Sequence, residues 1–470
     1  MTQSIRPRRT RTALSIAVLA AAAATVASLV PASASTATLP RVAPAVISPL
    51  VTNPAPVYPT YHRTQDRIGF TANMPVPTML KRSWSRVLDG QVYAQPLVVG
   101  NIVIVATEAN SVYGYSLRHG APLAWHAKLG NPDPAGSLPC GNISPNVGIT
   151  GTPVYDQASG LVFVVTETTG AVHTLYALSA ATGRVHWKRN VDIAGRSRNA
   201  EQQRGALAVA NGRVYIPFGG RYGDCGNFAG YVASVPTSGT GASAFFSAVP
   251  SSGAEGGIWT PPGLSVASDG TLYASVGNGS ATGRTWDGSD SVVRLSAGLR
   301  RLAYFVPAGW AAENAGDVDL GSSGPMLLPG NRALISGKGG DVYLLTTASS
   351  RAMRTPLAHW KGCAAYGGDA FDPGRNAAFL PCENGLRRID VRSTSLKGIW
   401  HISETGSPVL ASGLVWYVSG GVLTAVSETR GRLWGRVSLG ASTSRFVTPV
   451  VLSGRVIVGT NTGFSVIRTN

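Results

Sequence analysis

A lysine set among glycines, Gly337-Lys338-Gly339-Gly340, is the most chemically pointed residue of this chain. Its small neighbours leave the ammonium free to reach a ligand, and a lysine in a cleft needs a partner. Asp317 and Asp319 lie two apart in a loop, where carboxylates cap backbone amides. Trp259 follows Gly256-Gly257-Ile258 and suits a channel wall, and Asn278 in Gly277-Asn278-Gly279 suits a tight turn. Glu108, Glu167, Glu255 and Arg204 fall near strand ends on the same face. The familiar hydrolytic signatures are missing. No His-Glu-x-x-His or zinc-type Cys/His spacing occurs among the seven histidines, and Gly321-Ser322-Ser323-Gly324 does not make a nucleophile elbow. A glycine-rich phosphate loop ending in Lys-Ser or Lys-Thr is also absent from the sequence.

The elements that must position these residues are short strands. From Gln95 the chain repeats a pattern of four strands of four to six residues with turns between them, each copy ending on an aromatic. Such a repeat is the mark of a propeller blade. The closing aromatics are Trp84, Trp125, Trp187, Phe246, Tyr304, Trp360, Trp400 and Trp434, which gives eight blades. Each is expected to wedge between neighbouring blades, where a flat ring buries much area. The last copy, residues 448–468, has three strands, and residues 81–90 look like an outer strand with no blade of its own. Pairing the two completes the blade, closes the ring and hides the edges an open toroid would leave. The sequence therefore predicts an all-β fold, an eight-bladed β-propeller of four-stranded antiparallel blades. Its long loops, residues 131–148, 190–203, 219–229, 277–290 and 308–320, share one face, where function should sit.

Four cysteines in an exported chain should form two disulfides, with three pairings open. Cys363 precedes an inner strand and Cys382 ends the strand that pairs with it, which favours Cys363–Cys382. Cys140, in a crossing between blades, and Cys225, in the next blade's loop on the same face, would then form Cys140–Cys225.

Export is read from the start of the chain. Arg6, Arg8, Arg9 and Arg11 precede an alanine-rich apolar run, residues 13–30, and Ala32-Ser33-Ala34 supplies a cleavage site. Residues 1–34 are thus expected to be a signal peptide, and residues 35–60, rich in Pro, Ala, Ser and Thr, a linker before a propeller spanning 61–470. The protein is expected outside the cell or in its envelope, and as a monomer. Its net charge of +17 falls to +13 without residues 1–34, and only six of the 40 basic residues are lysine. Such a charge suits anionic wall polymers, whereas no nucleic-acid reading module accompanies it.

The stretch 177–187 resembles the tryptophan-docking repeat of quinoprotein β-propellers, with Ser179 where an aspartate is usual. The resemblance covers roughly residues 60–470. Between residues 256 and 345 it is similar to the central region of pyrroloquinoline-quinone (PQQ) alcohol dehydrogenases. The resemblance implies a Trp259 platform under the quinone, Asn278 and the Asp224 region as calcium ligands, Asp319 or Asp317 as catalytic base, and Lys338 on the ortho-quinone. A flat anion wants an aromatic plate, cations and a hard metal on oxygen ligands. The sequence also departs from that pattern: Cys140 stands alone where the dehydrogenases have two adjacent cysteines, and the aspartate segment lacks a preceding Trp. An outer-membrane assembly propeller that is not an enzyme shares the same repeat. The sequence thus favours a module that binds a small molecule or an envelope protein through its long-loop face, with a PQQ- and calcium-dependent dehydrogenase as the alternative.

Overall fold

Eight small antiparallel sheets follow one another around a ring in the computed structural model, which describes residues 57–72, 74–117, 122–251 and 253–470. The expected signal peptide and most of the expected linker lie outside these residues. Each blade runs from an inner strand to an outer one; in the second blade these are Val154–Asp156, Leu161–Thr168, Val172–Ser179 and Val185–Asn190. Inner strands are apolar on both faces because both are covered, while outer strands alternate, as in Lys81–Val87. Eight apolar clusters hold the ring, one at each junction between neighbouring blades. The last blade is completed from the far end of the chain: Lys81–Val87 pairs antiparallel with Gly463–Arg468. Among the described residues no helix is long and apolar enough to cross a membrane.

Residues 57–71 do something a linker would not. The chain there runs along the inner strands and meets every blade in turn. Val57–Tyr58 pairs with Leu97–Val99 of the first blade, and Pro59 accepts a hydrogen bond from Tyr155 N of the second. Gln65 Nε2 donates to Val209 O of the third. The carbonyls of Gln65, Asp66, Ile68 and Gly69 then accept from Val266, Leu327, Phe371 and Leu410 of blades four to seven. Phe70–Thr71 pairs parallel with Val409–Ala411, and Thr71 Oγ1 reaches Val451 O of the eighth blade. Residues 57–60, placed in the linker by composition, are therefore part of the propeller interior, since Tyr58 and Thr60 are fully buried.

Arg67 pins this strap. Its guanidinium is 2 % exposed and donates to Leu264 O, Thr60 Oγ1, Tyr61 O and Leu207 O at 2.6–3.1 Å. A buried guanidinium so fully satisfied locks the strap to two blades at once.

The outer tryptophans dock on the next blade. Trp125 Nε1 donates to Ala180 O at 3.2 Å, and Trp400 Nε1 to Glu428 O at 2.9 Å. Gly183, at φ 70°, leaves room for the Trp125 ring where a Cβ would collide. Tyr304 departs from this role and stacks on Trp286 instead.

The disulfides are Cys140–Cys225 and Cys363–Cys382. The first spans 85 residues and ties the crossing into the second blade to a loop of the third. Replacing both of its cysteines by serine is expected to lower stability by about 4–5 kcal/mol on the chain-entropy account. Guanidinium denaturation of the oxidised variant and parent measures this, with the smaller 19-residue bridge intact in both.

Candidate functional site

The crossings between blades and the loops on the same face enclose a cavity of about 490 Å³ over the ring centre. Trp259, Asn278, Asp317, Asp319, Lys338 and Asp224 all line it. They come from five different loops, Asp317 and Asp319 sharing one. Trp259 lies in the crossing from the third blade to the fourth, where Gly219 brings the third blade's backbone against it; a Cβ there would lie 2.7 Å from Trp259 Cβ. Asn278 follows the strand Leu272–Val276, Asp317 and Asp319 follow the short helix Trp310–Ala315, and Lys338 follows Arg332–Ser336.

Asp319 is the hub of one wall and is 2 % exposed. Its Oδ1 accepts from Asn278 N at 2.8 Å and Trp259 Nε1 at 3.5 Å, and its Oδ2 pairs with Lys338 Nζ. Lys338 also donates to Asp317 Oδ1 at 2.8 Å, and its own backbone N–H donates to Asp319 O at 2.9 Å. Burial alone would lower the lysine's pKa, but Asp319 and Asp317 outweigh it and hold the ammonium charged. Asn278 Nδ2 reaches Glu255 Oε2 at 3.4 Å. Burial, reinforced by the charges of Asp317 and Asp319, raises the Asp224 carboxyl, and burial with Asp224, Asp317 and Asp319 raises Glu255. Glu255 holds φ at 62°, an unfavourable backbone for a glutamate, at the foot of this wall.

The opposite wall is cationic and aromatic. Phe446 lies 6.4 Å from the Trp259 ring at 59°, and two guanidiniums flank it. Arg204 Cζ is 4.8 Å from the Phe446 ring and 5.8 Å from Tyr93. Arg445 Cζ is 4.5 Å from Tyr366 and 5.8 Å from Phe446. Among the described residues neither arginine has a hydrogen-bond or ion-pair partner. Arg221 also lines the cavity, but it is spent on Glu167 Oε1 at 2.6 Å and Asn199 O. Tyr61 of the strap shares a small void with Tyr93, Arg204 and Phe446, next to the cavity.

Of the four strand-end residues singled out in the sequence, Arg204 reaches the cavity and Glu255 backs its acidic wall. Glu108 and Glu167 are internal: Glu108 Oε2 accepts from Gly148 N and Thr150 Oγ1 at 2.7 and 3.0 Å. Sequence reasoning missed Tyr93, Tyr366, Arg445 and Phe446. Their common signal is position, since all four lie in crossings just ahead of an inner strand.

The arrangement matches known propellers. Quinohemoprotein alcohol dehydrogenase from Comamonas testosteroni is similar at TM-score 0.67 and 16% identity, over 88% of this chain and 80% of that one. BamB from Moraxella catarrhalis is similar at TM-score 0.57 and 13% identity, over 84% and 98%. The computationally designed Ika8 protein follows at TM-score 0.52 and 9% identity, over 83% and 100%. At these identities the likeness is one of fold. No curated protein matches by sequence. The family model described as outer membrane protein assembly factor BamB matches residues 81–219, from the closing strand into the third blade. The chain is an eight-bladed β-propeller whose residues 81–219 match the PQQ-like repeat. Within the PQQ-like repeat, the docked tryptophans Trp125 and Trp187 fall inside the matched residues.

Calcium does not fit the acidic wall as it stands. The Lys338 ammonium already sits between Asp317 and Asp319, where a divalent ion would be repelled. Among the described residues no group of three or more His, Cys, Asp or Glu is placed to hold a metal ion. A flat organic anion fits better, between the aromatic rings and the two free guanidiniums.

Proposed function

We propose that this propeller is a binding module whose long-loop face takes up a small planar organic anion. The pair Arg204 and Arg445 carries the reading. A guanidinium stacked on an aromatic face keeps its N–H edge free, so both present donors to the cavity without a partner of their own. Trp259 and Phe446 supply apolar plates for the body of the ligand, and 490 Å³ accommodates a molecule of drug size. A protein partner, the role carried by the assembly-factor name of the similar family, would meet the rim of the same cavity.

A PQQ-dependent oxidation is the second reading, favoured by the shared wall of Trp259, Asn278, Asp319 and Lys338. PQQ is itself a flat polyanion and would lie between the same rings and arginines, supplying a hydride acceptor when bound. A carboxylate must then take the alcohol proton. Asp319 is engaged by Lys338, Trp259 and Asn278, and would have to give up one of them. Titration with PQQ, with and without calcium, separates the two readings. The binding module requires saturable uptake that is independent of calcium, with no dye reduction by alcohols; calcium-dependent turnover would make it a dehydrogenase.

The pH dependence has a definite sign. Burial pushes the Glu108 carboxyl up to about 7, and Arg204 lies within its field. As pH falls through that value, Glu108 loses its charge and competes less for Arg204. Affinity for an anionic probe is therefore expected to increase from pH 8 to pH 6, measured by calorimetry in buffers of constant ionic strength.

A further inference from the structure

A second cationic site lies on the outer rim and shares no lining residue with the central cavity. The outer strand Arg301–Phe305 of the fourth blade faces the turn Ala352–Arg354 of the fifth across an open groove of about 560 Å³. Arg301, Arg351 and Arg354 line it with Tyr304, and no carboxylate does. Trp286 and Tyr304 stack with ring centres 4.4 Å apart. Arg301 Cζ lies 5.3 Å from the Trp286 ring and 5.5 Å from Tyr304, and Arg354 Cζ lies 4.8 Å from Tyr304. Among the described residues none of the three guanidiniums has an ion-pair or side-chain hydrogen-bond partner.

Like charges gathered without acids repel one another, so their juxtaposition needs a counter-charge. The aromatic stack holds the guanidinium faces and leaves the N–H forks to the groove. An exposed arginine–anion contact contributes only about 0–1 kcal/mol, so a single small anion would bind weakly here. Several anionic groups on one chain, engaged together, would hold firmly. A carboxylate holds its two oxygens in one plane, which one fork uses up; the two non-bridging oxygens of a chain phosphate diverge tetrahedrally and can bridge neighbouring forks. We infer that this groove binds a polymeric chain of phosphate groups.

The test uses long-chain inorganic polyphosphate, with polyglutamate as the carboxylate arm. Arg301→Ala/Arg354→Ala is compared with Arg184→Ala/Arg432→Ala, which removes two exposed arginines elsewhere and changes net charge equally. Circular dichroism confirms that both double variants are folded. The groove variant should bind polyphosphate about tenfold or more weakly, with the slope of log Kd against log salt reduced by about two, while the control stays near the parent. An equal loss in both variants would reduce the binding to net charge and overturn the site. No polyphosphate binding by the parent, or equal binding of polyglutamate, would overturn the ligand class.

Discussion

A chain that begins at Pro75 is expected to lose its cooperative fold. It keeps the closing strand Lys81–Val87 and all eight blades but lacks the strap of residues 57–71. Without the strap, Tyr155, Val266, Leu327, Phe371 and Leu410 lose the partners of their backbone N–H groups on the inner edge of the ring. Five such losses cost about 1 kcal/mol each, more where water cannot enter. Tyr58 and Tyr61 are at most 2 % exposed, and burial of such side chains stabilises by about 1.5–3 kcal/mol each. Arg67 and its four bonds go as well. The sum is on the order of 10 kcal/mol, comparable with the whole stability of a domain. The measurement is the soluble yield and thermal transition of the truncated chain, with and without a synthetic peptide of residues 57–72. Rescue by the peptide is the expected result; a truncated chain with an unchanged transition would show that the blades close without it.

His173→Leu is expected to cost about 3–5 kcal/mol, the penalty for breaking a buried ion pair by removing one partner. His173 is fully buried, with Nδ1 2.8 Å from Asp192 Oδ1 and Nε2 3.3 Å from Glu167 Oε2. Glu167 in turn holds Arg221 on the cavity wall. Burial disfavours the imidazolium, but Asp192 and Glu167 outweigh it and raise the pKa from 6.5 to about 9. A folded-state pKa above the unfolded one means that the stabilisation is complete below pH 6.5 and is lost as pH rises through about 9. Glu167 and Asp192 are held below their ordinary values, so their share is lost only in acid. Denaturant midpoints from pH 6 to pH 10 should therefore decline in the parent and stay flatter in His173→Leu. Parallel curves would remove the imidazolium from the account.

The ring closure was legible in the sequence because it is a counting problem: eight outer aromatics, a three-stranded last copy and an orphan strand around Trp84. The bridges were legible because blade topology sets which loops share a face. The strap was not. Val57-Tyr58-Pro59-Thr60-Tyr61 has no alternation to announce a strand, and the order of the strap comes from contacts to eight separate blades, five of them through its backbone carbonyls. Nor was the Arg204–Phe446–Arg445 cluster, since Arg204 sits in the crossing into the third blade and Arg445-Phe446 in the crossing into the eighth, with no spacing to link them. Tyr304 shows the limit of the repeat pattern: it occupies the wedge position, yet nearby Trp286 and Arg354 claim its faces.

The proposed function rests on an anion held by Arg204 and Arg445. Its most direct measurement is calorimetry with benzene-1,3,5-tricarboxylate and PQQ in calcium-free buffer, comparing the parent with Arg204→Gln and Arg445→Gln. One site per chain in the parent, weakened at least tenfold in each variant and blind to the trimethyl ester of the benzene probe, is the expected result. Binding that survives both substitutions, or no heat from either probe at millimolar concentration, would contradict it.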